Sequence, residues 1–408
     1  MKKSSKIIND PLYGFISLDK GIILKLIEHP YFQRLRRISQ LGLSNMVYPG
    51  ANHTRFHHAI GAMHLTQKAI NVLRSKGIKI TNKEAKGVSI AILLHDIGHG
   101  PFSHALENSI VNDITHEQLS LVYMKKLNKI FNGKLDLAIE IFKNQYSKPF
   151  LHQLVSSQLD MDRMDYLNRD SFYSGVQEGI VGTERIINML NVVNDELVVE
   201  SKGIYSVEKF LIARRLMYWQ VYFHKTVVCA EQLLINILKR AKELYSRNGT
   251  IFCTSSLKLF FEKKVYYADF IDNDEILNAF TQLDDFDIFT SIKEWQNHED
   301  KVLALLCKSI VQRRLFQTQI LEKPLKNDEK IKLRKNISQL YALDNSEVNY
   351  LFMEGEITNS TYKLNDSDIN ILHKNKTISD LISSADKSTI SALTNNVKKY
   401  FYCYPKNL

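Results

Sequence analysis

Histidine is concentrated in one part of this sequence. Of the 13 histidines, eight fall within the segment 53–116. Imidazole nitrogen is the commonest protein ligand for divalent transition metals, and a neighbouring carboxylate adds a harder oxygen donor and negative charge. A single histidine is usually structural, but a dense cluster predicts a metal site. Its members are His53, His57, His58, His64, His95, His99, His104 and His116.

The apolar run 90–94 leads directly into His95 and Asp96. Two glycines and a proline follow, and such residues end helices. Neighbouring side chains on a helix diverge by about 100°, so both can reach one ion only where the helix ends. We therefore expect a buried helix that delivers His95 and Asp96 to an ion. His99, four residues after His95, could share the same face.

An ion held by two residues needs further ligands, and two other segments offer candidates. "HTRFHHAIGAMH" has adjacent histidines beside an arginine, and "SQLDMDRMDYLNRD" is rich in aspartate. Taken alone, the second is equally well explained as a solvated helix with salt bridges. The need for a second carboxylate ligand favours the metal. The residues concerned are Arg55, His57, His58, Asp160, Asp162, Arg163, Asp165, Tyr166, Arg169 and Asp170.

The net charge of +10, from 54 basic and 44 acidic residues, favours an anionic partner. Nucleic acid, a membrane surface and small phosphorylated ligands all fit such a charge. The basic run between Lys323 and Lys335 has no interleaved aromatic residues, which weakens a nucleic-acid interpretation. Charge alone does not choose among these partners.

Cysteine and hydropathy patterns argue against several other classes. The four cysteines are far apart and form no CxxC pair, so neither a disulfide framework nor a thiolate zinc site is indicated. No run of eighteen apolar residues occurs, and the first residues lack the apolar stretch of a signal peptide. We therefore expect a cytoplasmic protein with no membrane partner.

The distribution of apolar residues predicts a mainly α fold in two parts. Helical spacing dominates to about residue 322. After Lys323 and Pro324, short segments joined by Gly and Asn/Asp turns are typical of strands. We predict a helical body over residues 1–322 and a smaller mixed α/β lobe over residues 323–408.

His58, His95, Asp96 and Asp162 resemble the H…HD…D signature of the HD-domain metal-dependent phosphohydrolases. More specifically, five ordered blocks resemble the deoxynucleoside triphosphate triphosphohydrolase branch of that family, over roughly residues 6–320. The blocks are "PGANHTRFHHAIG", "LLHDIGHGPFSH", "THEQ", "LDMDRMDYLNRD" and "YFHK". The fold implied is an HD-domain helical core.

The resemblance implies that the four signature residues hold one divalent ion, and Fe, Mn, Ni, Zn and Mg are all compatible with the family. The ion would polarise the α-phosphate and lower the pKa of a bound water. The products would be a deoxynucleoside and inorganic triphosphate. The positions that match the family's proton-transfer set are His99, His104, Glu107 and His116. The family usually has Asp at the place of Glu107.

The resemblance also assigns substrate-binding positions. Leu41 and Tyr222 would pass for core residues on pattern alone. Tyr218 stands where the mammalian member of this branch has a histidine near the nucleobase of the substrate. Phosphate contacts fall on Arg55, Arg163, Tyr166 and Arg214. Sugar contacts fall on Asp170 for the 3′-hydroxyl and on Gln40, Leu41 and Tyr222 for the wall that excludes a ribose 2′-hydroxyl.

A guanine nucleotide activator, GTP or dGTP, is implied at subunit contacts of a homo-oligomer, either a dimer or a tetramer. The mammalian member of the branch has Asp at the place of Glu28. It also has a lysine in the region that matches Arg313, and this chain has Gln317 at that place. The same residues could equally cap and bridge helices. The matching positions are Lys6, Ile7, Glu28, Gln33, Arg36 and Arg313.

Two alternatives to a deoxynucleoside triphosphate substrate stay open. One is a phosphohydrolase for another nucleotide phosphoester. Three arginines argue against it, because Arg55, Arg163 and Arg214 favour a substrate with a longer phosphate chain. The other is a nucleic-acid-binding regulatory protein with a structural metal. Binding that falls steeply with salt, without turnover, would favour the second.

Overall fold

The computed structural model describes residues 5–103, 111, 114–359, 362, 368–384 and 397–407. These residues are mainly helical, with small sheets. The helices are α1 Ile22–Glu28, α2 Pro30–Gln33, α3 Arg55–Ser75, α4 Asn82–Leu94, α5 His116–Ile130, α6 Asp136–Phe142, α7 Pro149–Gln153, α8 Met161–Ser174, α9 Thr183–Met189, α10 Ile204–Met217, α11 Lys225–Asn248, α12 Ser255–Glu262, α13 Tyr267–Asp272, α14 Asp274–Gln282, α15 Asp285–Trp295, α16 Lys301–Val311, α17 Asn327–Tyr341, α18 Asn345–Leu351 and α19 Leu381–Ser384. The strands are β1 Ser5–Asp10, β2 Gly14–Asp19, β3 Leu190–Val193, β4 Glu196–Glu200, β5 Gln317–Leu321, β6 Met353–Asn359, β7 Asn370–Leu372, β8 Ile378–Asp380 and β9 Val397–Tyr404.

Helix α4 carries the apolar run that precedes His95. A capping box starts it, in which the Thr81 hydroxyl accepts from the Glu84 amide and the Glu84 carboxylate accepts from the Thr81 amide. Residues 87–94 are all buried. The helix ends at Leu94, so the expected buried helix that ends at His95 is confirmed.

Helix α3 packs against both α4 and α8 in the centre of the helical core. The approach to α8 is close at Gly61, where an added Cβ would clash with the side chains of Asp165 and Arg169. Glycine is therefore required here by space, and it brings the start of α3 next to the start of α8.

The chain between α10 and α11 is a π-helix, Tyr218–Tyr222. Such wide turns are rare and are frequent at functional sites. The turn carries Tyr218 and Tyr222, two of the residues assigned to substrate binding.

Sheet pairing joins the C-terminal segment to the helical body. Strand β9 lies between β5 and β6, antiparallel to both, and β7 pairs in parallel with β4. Strands β4 and β5 precede residue 323, whereas β6, β7 and β9 follow it. The mainly α fold with a smaller α/β part is confirmed, and the boundary at 322/323 stays a prediction.

Two segments expected to be helical are partly extended. Helical spacing is predicted to continue to about residue 322, but α9 stops at Met189 and Leu190–Val193 forms β3. The last residues of the predicted helix before Lys323 form β5, because Gln317–Leu321 pairs along β9. Strand pairing decides both outcomes, with the adjacent strand β4 for β3 and with the distant strand β9 for β5. Within the described residues, no helix combines the length and apolar character that a membrane span requires.

Candidate functional site

Three elements bring His58, His95 and Asp162 together. His58 lies on the first turn of α3, His95 follows the end of α4, and Asp162 lies on the first turn of α8. The Asp162 Oδ1 atom is 3.1 Å from His58 Nε2 and 3.4 Å from His95 Nε2. One ligand atom of each residue lies within 4.8 Å of the other two, so the three could hold one metal ion.

Asp96 borders the same centre. Its Oδ1 atom is 3.3 Å from His95 Nε2, and its Oδ2 atom is 3.9 Å from His58 Nε2. Arg55 Nη1 donates a hydrogen bond of 2.7 Å to Asp96 Oδ2. This hydrogen bond joins one of the predicted metal ligands to a residue that the resemblance assigns to phosphate binding.

The orientation of the two histidine rings fits a metal. His58 Nδ1 donates to Asp165 Oδ2 over 2.8 Å, and His95 Nδ1 donates to the carbonyl of Ile92 over 2.6 Å. These bonds leave the Nε2 lone pairs directed at the centre. Both Nε2 atoms are buried and have no hydrogen-bond partner among the described residues. A divalent cation would satisfy both atoms and the two carboxylates.

The electrostatics of the centre favour a cation. Burial alone would lower the pKa of His58, but the neighbouring carboxylates of Asp162 and Asp165 raise that pKa to about 10. Burial opposes ionisation of Asp162 and Asp96, yet neighbouring His95 is the first of the charges that hold the pKa of both carboxyls below the usual range. The carboxylates thus remain charged and attract positive charge.

A buried ion-pair chain supports His58 from behind. Asp165 accepts two hydrogen bonds from Arg169, at 2.9 and 3.0 Å, and Arg169 Nη1 donates to Asp10 Oδ2 over 2.8 Å. In the sequence, Asp165 and Arg169 stand out only as members of the acidic stretch, and nothing indicates Asp10. The spacing of three residues between Asp162 and Asp165 was the available signal, since both then lie on one helix face.

His99 and His116 form a second group beside the metal ligands. His99 Nε2 is 3.3 Å from Asp96 Oδ1, and the two imidazole rings are stacked with centroids 3.8 Å apart. Burial, followed by the charge of Arg55, holds the pKa of His99 well below its ordinary value. His104 and Glu107, assigned to the same proton-transfer set, lie outside the described residues.

The assigned phosphate contacts are gathered on α3, α8 and α10. The Nε atoms of Arg55 and Arg163 are buried without a hydrogen-bond partner among the described residues. Arg163 also forms an ion pair with Asp160. Arg214 is buried with its guanidinium 5.9 Å from the ring centre of Tyr218. Burial raises the pKa of Tyr166, so this phenol remains a neutral donor.

A cavity of about 530 Å³ opens beside Arg55. Its walls include five residues assigned to substrate binding, which are Gln40, Leu41, Arg55, Tyr218 and Tyr222.

Asp170 lies next to one of these wall residues. The Tyr222 hydroxyl donates to Asp170 Oδ2 over 2.7 Å, and His53 Nε2 donates to Asp170 Oδ1 over 2.8 Å. His53 stacks on the ring of Tyr173 at 4.5 Å. The link between His53 and Asp170 was missed from the sequence, because 117 residues separate them.

The residues of the expected activator site lie at the N-terminal end of the chain, apart from Arg313. Lys6 Nζ donates to Glu28 Oε1 over 2.8 Å, and Arg36 Nε donates to Gln33 Oε1 over 2.9 Å. Ile7 is exposed on β1. Arg313 Nε donates to the Met46 carbonyl over 2.9 Å. These contacts suit helix bridging as well as ligand binding, so the regulatory role stays a prediction.

Two known protein families match the part of the chain that contains these residues. The HD domain family matches residues 55–170, and the HD-associated region matches residues 181–252. The first range contains all four predicted metal ligands. The crystal structure of a phosphohydrolase from Bacteroides thetaiotaomicron superposes on this chain with a TM-score of 0.95. The match covers 99% of this chain and 100% of that one, and the two sequences are 50% identical.

Two curated relatives extend the comparison. The uncharacterized protein YwfO of Bacillus subtilis is 33% identical over 76% of this chain and 71% of its own length. The deoxynucleoside triphosphate triphosphohydrolase SAMHD1 homolog of Dictyostelium discoideum is 31% identical over 59% of this chain and 50% of its own length. By these similarities, together with the His/Asp cluster, the chain belongs to the HD-domain family of phosphohydrolases.

Proposed function

We propose that this protein hydrolyses deoxynucleoside triphosphates to a deoxynucleoside and inorganic triphosphate. The observation that carries the proposal is the position of Arg55. It donates to Asp96 at the metal centre and also lines the 530 Å³ cavity. A phosphate chain that reaches from the cavity to the centre would meet its guanidinium. The relationship to the SAMHD1 homolog, itself described as a triphosphohydrolase, supports this substrate class.

His58, His95, Asp96 and Asp162 would hold the divalent ion. When bound, it would act as a Lewis acid on phosphate oxygen and lower the pKa of a bound water. The water oxygen would form a bond to the α-phosphorus while the bond from that phosphorus to the 5′-oxygen breaks. Arg55, Arg163 and Arg214 would neutralise the triphosphate, and Tyr166 would donate from its phenol.

The leaving 5′-oxygen requires a proton, and His99 is the described residue best suited to the transfer. Its low pKa keeps it neutral. It could therefore accept a proton from the attacking water and pass that proton to the 5′-oxygen. Its contact with Asp96 and its stacking on His116 fix the ring. His104 and Glu107 complete the set that the family resemblance assigns. General acid–base groups of this kind typically contribute about 10²–10⁴-fold to the rate.

The sugar would lie against Asp170 and Tyr222. Asp170 accepts hydrogen bonds from Tyr222 and His53, which fixes the carboxylate for a 3′-hydroxyl. Gln40, Leu41 and Tyr222 line the neighbouring wall and would leave no room for a 2′-hydroxyl. The sugar contacts thus favour deoxynucleotides over ribonucleotides.

Activation by a guanine nucleotide at the N-terminal residues, within a homo-oligomer, is the regulatory part of the proposal. Glu28 offers a carboxylate and Gln33 an amide for the Watson–Crick edge of guanine. Rates with dTTP, measured with and without GTP or dGTP, test it. A rise in rate together with a larger assembly on sizing would support activation, and unchanged rates at saturating nucleotide would refute it.

The enzymatic proposal is tested with metal-loaded protein and matched pairs of dNTPs and rNTPs. Chromatography should reveal deoxynucleosides and only slow formation of ribonucleosides. An Asp162→Asn variant should lose both bound metal and turnover. An Asp272→Asn variant, changed at an exposed position on α13, should keep both. Equal rates on both sugars would contradict the proposed specificity.

A further inference from the structure

Glu231 on α11 is a carboxyl group that the mechanism above does not use. It lines the 530 Å³ cavity together with Val227 and Leu234. These three residues are spaced four and three apart, so they share one face of the helix. No hydrogen bond or ion pair joins Glu231 to another described residue. Burial raises the pKa of Glu231 to about 7, without a compensating cation. Folding gains nothing evident from a carboxyl here.

The cavity lining presents a second acceptor without a donor. Gln40 precedes the short turn Gly42–Met46, and its Oε1 atom is buried with no hydrogen-bond partner in the described part of the chain. The remaining wall contains apolar side chains, among them Leu41 and Phe102. The cavity therefore suits a flat, largely apolar group that carries hydrogen-bond donors on its edge.

We propose that Glu231 reads the nucleobase of the substrate and selects guanine. This inference rests on the proposed function, because it assigns the base end of the same nucleotide site. An ionised carboxylate is an acceptor with two oxygens. Guanine offers two adjacent donors on its Watson–Crick edge, the N1–H and the 2-amino group. Adenine and cytosine offer one amino group beside an acceptor nitrogen, and thymine offers one N–H between two carbonyl oxygens.

The two ends of the cavity assign the direction of the nucleotide. Arg55 marks the phosphate end, because it bonds to Asp96. Tyr218 and Tyr222 also line the cavity, on the π-helix that precedes α11. Glu231 follows them along the chain, within α11. The order of phosphate, sugar and base then follows Arg55, Tyr222 and Glu231.

The first experiment uses the unmodified protein with dGTP and with deoxyinosine triphosphate, which lacks only the 2-amino group. Loss of a hydrogen bond to a charged acceptor should lower kcat/KM by roughly 10- to 100-fold. Calorimetric binding of the two nucleotides measures the same preference without turnover. Equal kcat/KM and equal affinity for the two nucleotides would overturn the proposal.

The second experiment uses a Glu231→Gln variant, with Glu294→Gln as a matched control at an exposed position on α15. Glu231→Gln should remove the discrimination between dGTP and deoxyinosine triphosphate while the rate with dTTP stays within about twofold. Because the variant removes a buried charge, its Tm at pH 8 should equal or exceed that of the parent. An equal loss for every substrate would assign Glu231 to structure and refute base selection.

The experiments distinguish a wrong base assignment from a wrong proposed function. Turnover of all four dNTPs with an unchanged profile in Glu231→Gln refutes only the base assignment. Absence of dNTP turnover in the parent refutes the proposed function, and the binding comparison then decides whether Glu231 recognises guanine.

Discussion

At the proposed metal centre, each histidine ring is fixed through the nitrogen that faces away from the other ligands. His58 donates to Asp165, and His95 donates to a backbone carbonyl. Asp165 is buried and forms an ion pair with Arg169. Asp165 would therefore act on the metal through His58, as a positioning residue.

Replacement of Asp165 by Asn should weaken metal binding by about 10- to 100-fold, the usual effect of losing such a partner. Asn retains an acceptor oxygen but removes the charge that orients His58. Titration of metal-free protein with Mn²⁺, followed by calorimetry, measures the change. Unaltered affinity in Asp165→Asn, with native stability, would contradict the positioning role.

The residues of the centre were largely predictable, but their supports were not. His58, His95, Asp96 and Asp162 stand out because of residue type, spacing and family resemblance. The contacts of Asp10 with Arg169 and of His53 with Asp170 do not, because each joins residues more than a hundred positions apart in sequence. Only the packed structure brings such pairs together.

At the scale of elements, the close packing of α3 on α8 sets the distance between His58 and Asp162. Gly61 permits that approach. A Gly61→Ala variant should lose about 1–3 kcal/mol of unfolding free energy, because the new methyl group overpacks a buried ion pair. It should also bind metal less tightly.

Gly182→Ala is the matched control, since an added Cβ there meets no atom within 4 Å. Its unfolding free energy in urea should stay within about 0.5 kcal/mol of the parent value. Equal stability of the two variants would show that α3 and α8 do not require glycine at their crossing.

Helix α4 depends on its N-terminal capping box. Hydrogen bonds from Lys148, Thr81 and Tyr146 overcome the effect of burial and lower the pKa of Glu84 to about 2. Since the folded-state pKa is below the unfolded value, Glu84 stabilises the fold above about pH 4.5. That contribution is lost as the pH falls towards 2.

A Glu84→Gln variant should therefore be less stable than the parent by about 1–2 kcal/mol at pH 6. The difference should shrink at pH 3, because below about pH 4.5 the unfolded parent chain binds a proton at Glu84. Urea unfolding at both pH values measures it. A stability difference between parent and variant that is equal or larger at pH 3 would contradict a lowered pKa of Glu84 in the folded protein.

The elements differed in how far their sequence predicted them. Helix α4 was predictable because its apolar run and the following glycines act locally. Strands β3 and β5 were not, because their apolar residues have helical spacing and only pairing with β4 and β9 makes them extended.

On the scale of the whole molecule, the C-terminal segment is tied into the helical body by two sheets. Strand β9 occupies the centre of its sheet, and its residues Phe401, Tyr402 and Cys403 are buried. A chain that ends at residue 322 would leave β5 without its partner and expose part of the core.

We expect such a truncated chain to lose at least several kcal/mol of stability, given the apolar area it uncovers. Circular dichroism melting of the purified fragment beside the full chain measures the loss. A fragment that melts at the parent temperature would establish residues 1–322 as an independent domain and contradict this expectation.

The central claim is that water attacks the α-phosphorus of a dNTP at the centre formed by His58, His95, Asp96 and Asp162. The most direct measurement is ³¹P NMR of the products from dGTP in ¹⁸O-labelled water with Mn²⁺-loaded protein, the ion being removed before the spectrum is recorded. The account predicts inorganic triphosphate that carries one ¹⁸O on a terminal phosphorus, and unlabelled deoxyguanosine. Pyrophosphate with dGMP, orthophosphate with dGDP, or label in the nucleoside would contradict it.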